Sequence, residues 1–262
     1  MLGLGKLLTL EKLIERFTNT KSVTFNGTNQ GIDTGYGVDA AVRGSFTFSM
    51  WVKPADGIPT ATSTFLGSLP SFSPIFLISI TTGNTGKLTF QFAIGGDTHT
   101  EASTSTIFAD GPASSWTHIA FVWTRVGDSD AGTVDIYVNG SAIATQTVLG
   151  NGGITGSEQD GADFGASGQF NIGYMDTTNT SPTAFYGGEM DEFAFFREAL
   201  SASGISEIYN SGVPTDLTLG GSNFSATNLE LYYRFEDDFT DTTGTSDGTG
   251  VNSPTFTTDV PE

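Results

Sequence analysis

The chain has 262 residues, no cysteine, 10 basic against 29 acidic side chains and a formal charge of −19. Without cysteine there is no disulfide scaffold, thiolate metal site or thiol nucleophile, and so negative a chain repels phosphate backbones, which argues against a nucleic-acid partner. No apolar run reaches the roughly 18 residues of a membrane span, while 21 Phe, 7 Tyr and 3 Trp supply material for a large core.

Residues 6–17 place Leu7, Leu10, Leu13, Ile14 and Phe17 at helical spacing, with Glu11, Lys12, Glu15 and Arg16 between them. A helix of about twelve residues is marginal alone in water. This stripe is therefore expected to dock, either on its own domain or as an attachment and oligomerisation element. Glu11 interrupts the apolar opening after a single early Lys6, so no secretory signal is expected.

From Ser22 the period falls to two, with turn residues between short runs. The pattern predicts strands at 46–52, 74–80, 87–94, 116–123, 133–138, 170–174 and 188–196. Asn139-Gly140 joins 133–138 to 141–148 as a hairpin, because both residues tolerate the positive φ of a type I′ turn. A helix is expected from Ser201 to Asn210, capped by Ser201 and closing near Gly212. One more strand, 229–235, puts Leu229, Leu231, Tyr233 and Phe235 on one face. Residues 236–262, acidic and rich in Gly, Ser and Thr, are expected as a loose tail. Many short strands without alternating helices predict an all-β chain, an antiparallel β-sandwich of jelly-roll type with a short N-terminal amphipathic helix. It divides into helix 1–20, sandwich 21–214, and C-terminal strand with acidic flexible tail 215–262.

Four segments carry a family resemblance: Val23-Thr-Phe-Asn-Gly-Thr-Asn29 running on to Phe46-Thr-Phe-Ser-Met-Trp-Val-Lys-Pro54, then Trp116-Thr-His-Ile-Ala-Phe-Val122, Val134-Asp-Ile-Tyr-Val-Asn-Gly140, and Gly188-Glu-Met-Asp-Glu-Phe-Ala-Phe-Phe-Arg-Glu-Ala-Leu-Ser201. In this order they resemble the laminin G-like, concanavalin A-like jelly roll, which hosts lectins, adhesion modules, glycosidases and viral proteins. Leu231-Tyr-Tyr-Arg-Phe-Glu236 through Gly248-Thr249 and Asn252-Ser-Pro-Thr-Phe-Thr-Thr-Asp-Val-Pro261 resembles the segment that usually precedes such a domain, but here follows it. Met1-Leu-Gly-Leu-Gly5 resembles the start of small virion proteins of marine tailed phages.

Glu189-Met-Asp-Glu192 is similar to the catalytic Glu-x-Asp-x-x-Glu strand of laminarinase-type glucanases, whose two carboxyls flank the scissile bond. Here position 193 is Phe and nothing marks a distal acid. His118 is expected to be structural, and His99 to stand in a polar loop. The resemblance implies a structural calcium ion held by Asp191 with Asn26 and Gly27, with Asp191 bonding the first loop's amides as the alternative. Glu158-Gln-Asp160 and Asp128-Ser-Asp130 are read as surface loops. Trp51, Trp116 and Trp123 fall within strands and are expected in the core. Phe72, Phe108, Phe164, Phe185 and Tyr186 fall in loops, and Phe164, Phe185 and Tyr186 are the candidates for stacking on a glycan.

The expectation is a non-enzymatic virion structural protein of a tailed phage, assembled in the host cytoplasm as capsid decoration or as a head or tail fibre. Its partners would be other virion proteins, further copies of itself (three-fold symmetry being one expectation) and a surface polysaccharide, with no nucleic acid and no membrane. The alternatives are a free-standing carbohydrate-binding module and a degenerate glycan hydrolase.

Overall fold

The computed structural model describes residues 17–37, 44–68, 76–94, 97–125, 132–149, 169–176 and 182–262. The apolar stripe Leu7, Leu10, Leu13 and Ile14, together with Phe72, Phe164 and both acidic loops, lies outside the described residues. Strands run in chain order as β1 Ser22–Asn26, β2 Gly31–Gly37, β3 Phe46–Pro54, β4 Ser63–Ser68, β5 Phe76–Thr82, β6 Thr89–Ile94, β7 Asp97–Ser103, β8 Thr117–Arg125 and β9 Gly132–Val138. They continue as β10 Ser141–Ala142, β11 Thr145–Leu149, β12 Gln169–Ile172, β13 Met175–Asp176, β14 Pro182–Thr183, β15 Gly187–Phe196, β16 Leu229–Tyr233, β17 Thr249–Val251 and β18 Thr255–Thr257. Among the described residues one α-helix, α1, spans Ala202–Tyr209.

The described strands form two large antiparallel sheets, with β13 and β14 paired apart from them as a two-stranded ribbon. The first has the order β10-β9-β8-β3-β15-β1-β18, with β16 also beside β15; the second has the order β11-β7-β6-β5-β4-β12-β2-β17. The alternation along β3 explains the sandwich. Phe46, Phe48, Met50 and Val52 face inward and are wholly buried. Phe48 lies within 4.9–6.2 Å of the Phe170, Phe193 and Phe195 rings. Fully burying each such side chain contributes roughly 1.5–3 kcal/mol, which makes this cluster the main source of stability.

Outside the first sheet, Ala120, Val122, Ala194, Phe196 and Tyr232 form a second apolar layer, which Ile205 and Ile208 of α1 cover. Ser201 caps α1 as expected, its Oγ accepting from the Gly204 amide at 3.1 Å. The helix ends at Asn210, which takes the left-handed conformation (φ 44°) that a short polar side chain tolerates.

Three departures from the sequence pattern matter. The second arm of the predicted hairpin splits: β10 pairs with β9, but β11 leaves for β7 in the other sheet. His99 lies in strand β7, not in a loop. The segment 236–262 is no loose tail, since it supplies β17 to the second sheet and β18 to the first. Its order comes from Asp241, whose carboxylate accepts from the amides of Tyr232, Thr243, Thr245 and Ser246. Phe239 also packs on Phe256, with ring centres 5.1 Å apart.

Candidate functional site

The residues expected to share a calcium ion are not brought together. Asn26 pairs with Gly187 and Val23 with Met190. This leaves Asn26 four residues along the ladder from Asp191, roughly 13 Å at the rise of a strand. Asn26 Oδ1 instead accepts from Thr28 N and Asn29 N in an Asx turn. Asp191 accepts from Asn19 Nδ2 at 2.8 Å and from the Glu192 amide at 2.9 Å. Among the described residues no three His, Asp or Glu side chains are grouped to hold a metal ion.

Strict alternation would turn Glu192 away from Asp191, but β15 bulges there. Glu192 has φ 49°, and the pairing with β3 jumps between Asp191 opposite Trp51 and Ala194 opposite Ser49. A bulge residue shares its neighbour's face, so both acids lie outside the first sheet, Asp191 fully buried and Glu192 4% exposed. Residues 17–20 cover them. Arg234 lies 4.2 Å from the Phe17 ring centre and donates to Thr18 O, while Glu236 accepts from Thr20 N. Tyr232 donates to Glu192, and Arg234 stands 3.5 Å from it. Burial pushes the Glu192 carboxyl up to about 8 and raises Asp191 well above the usual carboxylate range. Neither acid is open to a substrate, and Glu189 is tied to Lys53 at 3.7 Å.

Of the expected contact aromatics, Tyr186 and Phe108 prove to be core residues, 0% and 4% exposed. The Tyr186 ring packs against Phe25 and Phe65, and its hydroxyl donates to Glu189 O at 2.9 Å. This anchor leaves its neighbour Phe185 half-buried at the surface, with Tyr174 stacked behind it at 5.8 Å. His118 is buried as expected. Its Nε2 lies 2.8 Å from Ser49 Oγ, and burial lowers its pKa to about 3, so the ring is neutral.

Phe185 lines a recess of about 410 Å³ at the loop end of the sandwich, together with Gly27, Ala55, Asp56, Pro59, Gly187 and the hydroxyl-bearing Thr60, Thr62 and Ser63. Two glycines close its base. The Gly27 amide donates to Tyr186 O at 3.2 Å, and a Cβ on Gly27 would stand 3.2 Å from Gly187 Cα. Asp56 Oδ1 accepts from Ile58 N and Gly111 N, which fixes the 55–62 loop as one wall and leaves Oδ2 without a hydrogen bond among the described residues. A ring face, three hydroxyls and a carboxylate oxygen around this volume suit a small polyhydroxylated ligand. Thus one residue expected at a calcium site, Gly27, and one expected at a glycan, Phe185, meet at a single place.

The family model of the concanavalin A-like lectin/glucanases superfamily matches residues 26–206. Among solved structures, a Bacteroides ovatus protein named for carbohydrate binding is similar at 21% identity and a TM-score of 0.60, with 94% of this chain covered. The chain spans 62% of that protein's length. The heptameric SAP-like pentraxin of Limulus polyphemus is similar at 18% identity, 0.52, and 89% and 95% coverage. The CBM40 of the Ruminococcus gnavus IT-sialidase is similar at 13%, 0.50, and 74% and 100%. At these identities the likenesses establish the fold. Comparison with curated protein sequences gives no match.

Proposed function

We propose that this chain, which belongs to the concanavalin A-like lectin/glucanases superfamily, is a non-catalytic carbohydrate-binding module that takes a saccharide at the Phe185 recess. The observation that carries the proposal is the recess itself, an aromatic face beside hydroxyls and the open Asp56 Oδ2. The carbohydrate-binding names of two structural neighbours support it. The non-catalytic part is supported by the sealing of Asp191 and Glu192 beneath residues 17–20. Calorimetric titration with oligosaccharides should give saturable binding that Phe185→Ala weakens at least about tenfold, the worth of a stacked ring. Equal affinity in the variant would remove the recess from the proposal.

In the virion setting expected from the sequence, this module would be the host-facing part of a particle and residues 1–20 its attachment. Phe17 supports that setting by its position. It lines a groove of about 810 Å³ that also contains Val213 and Leu219, 51% and 81% exposed. Light scattering should give an oligomer for the full chain and a monomer once residues 1–20 are removed. A monomer in both cases would end the assembly role.

A further inference from the structure

A second recess, of about 510 Å³, lies on the outer face of the first sheet between the end of α1 and residues 258–262. It shares no lining residue with the Phe185 recess. Strand parity builds it. With Phe46, Phe48, Met50 and Val52 facing the core, Trp51 and Lys53 must face outward, and the β3–β8 register sets Trp116 beside Lys53. Trp51 is roofed by Tyr209, stacked at 5.6 Å, and is only 4% exposed. Trp123 is 2% exposed, so Trp116, half-buried, is the indole that reaches solvent.

The polar groups around Trp116 are tightly placed. Its Nε1 donates to Asp259 Oδ1 at 2.9 Å, which fixes the ring, and Lys53 donates to Asp259 Oδ2 while standing 3.7 Å from Glu189. The hydrogen bond between them holds Lys53 above and Asp259 below their ordinary ranges, so both stay charged near neutrality. Asp259 keeps unused lone pairs, and Lys53 carries three donors. Asn139 and Ser211 complete the polar wall.

We propose that this recess is a second saccharide site, selective for neutral pyranoses over acidic ones. A pyranose would lay its C–H face on Trp116 and exchange hydroxyl hydrogen bonds with Asp259, Lys53 and Asn139. Selectivity follows from charge: one ammonium, already paired, faces Asp259, Glu189 and the nearby Glu262, so a sugar carboxylate would meet net repulsion. The inference rests on the carbohydrate-binding reading but not on the Phe185 recess, and it makes each molecule bivalent towards glycans.

The test is tryptophan emission and acrylamide quenching, run beside calorimetry, with lactose, cellotetraose, laminaritetraose and xylotetraose as neutral probes and 3′-sialyllactose as the acidic one. The expected result is a saturable emission change and reduced quenching with at least one neutral saccharide. That change persists in Phe185→Ala and is weaker for 3′-sialyllactose than for lactose, and the calorimetric affinity that remains in Phe185→Ala falls at least about tenfold when Trp116→Leu is added. Heat of binding without any tryptophan response would overturn the second site alone, whereas no heat with any probe would overturn the carbohydrate reading as well. A response lost in Phe185→Ala, or a response to sialyllactose as strong as that to lactose, would likewise overturn the second site while leaving the carbohydrate reading in place. Quenching protection in the wild type decides the matter even where Trp116→Leu folds poorly.

Discussion

A chain ending at Gly248 is expected to lose about 5 kcal/mol of stability relative to the full chain. The deletion removes one ladder from each sheet, β17 against β2 and β18 against β1. It also strips Phe256 from Phe239 and removes the buried Pro254 and Pro261. Several backbone hydrogen bonds at about 1 kcal/mol each and two or three apolar side chains at about 1.5–3 kcal/mol each set the magnitude. Urea denaturation of the two chains measures it, since the midpoint scales with stability at similar slope. A loss below about 1 kcal/mol would mean that 249–262 behaves as a loose tail after all.

Glu192→Gln is expected to stabilise the protein progressively as the pH rises from 4.5 to 8. Burial is the largest cause of the raised Glu192 value, followed by the lowering effects of Tyr232 and Arg234 and the raising effect of Glu236. Asp191, raised by burial and by Glu192, shifts in the same direction. Below 4.5 the carboxyl is protonated in both states. Between 4.5 and about 8 the unfolded chain releases the proton while the folded chain keeps it, so the native protein loses stability at up to about 1.4 kcal/mol per pH unit for this group. The glutamine variant has no such loss. Its advantage should be absent near pH 4.5 and reach on the order of 4 kcal/mol at pH 8. Denaturant titrations at several pH values across that window check this, and an offset that does not change with pH would refute it.

The sequence carried the sandwich clearly because its central strands, β3, β8, β9 and β15, are long enough for the alternation to show. The family expected from the four motifs is the one that matches residues 26–206. Parity along β3 also held the second recess in view: with Phe46, Phe48, Met50 and Val52 inward, Trp51 and Lys53 had to point outward. Reading all three tryptophans as core overlooked that Trp116 precedes β8 and follows the polar Ser114-Ser115. The bulge at Glu192 left no such trace. A positive φ is usually signalled by Gly or Asn, whereas here it falls on a glutamate whose carboxyl is received by Tyr232 and Arg234. Closure by 236–262 was hidden for another reason. Strands of three residues cannot display a period, and the organising group is one carboxylate, Asp241, gathering amides from 232 to 246. Tyr186 and Phe108 were misplaced because their flanking Gly and Ser residues resemble loop composition, although both rings turn inward.

The splitting of the 141–149 arm has a consequence for how molecules of this protein meet. Each sheet ends in strands of two to five residues, β10 and β18 on one, β11 and β17 on the other. The chain crosses from sheet to sheet at both margins. A neighbouring molecule approaching edgewise therefore finds few free amide and carbonyl groups to template against, which is how β proteins resist fibril growth. Crowding many copies together, as on a densely coated surface, would favour contact through faces and loop ends rather than runaway strand addition.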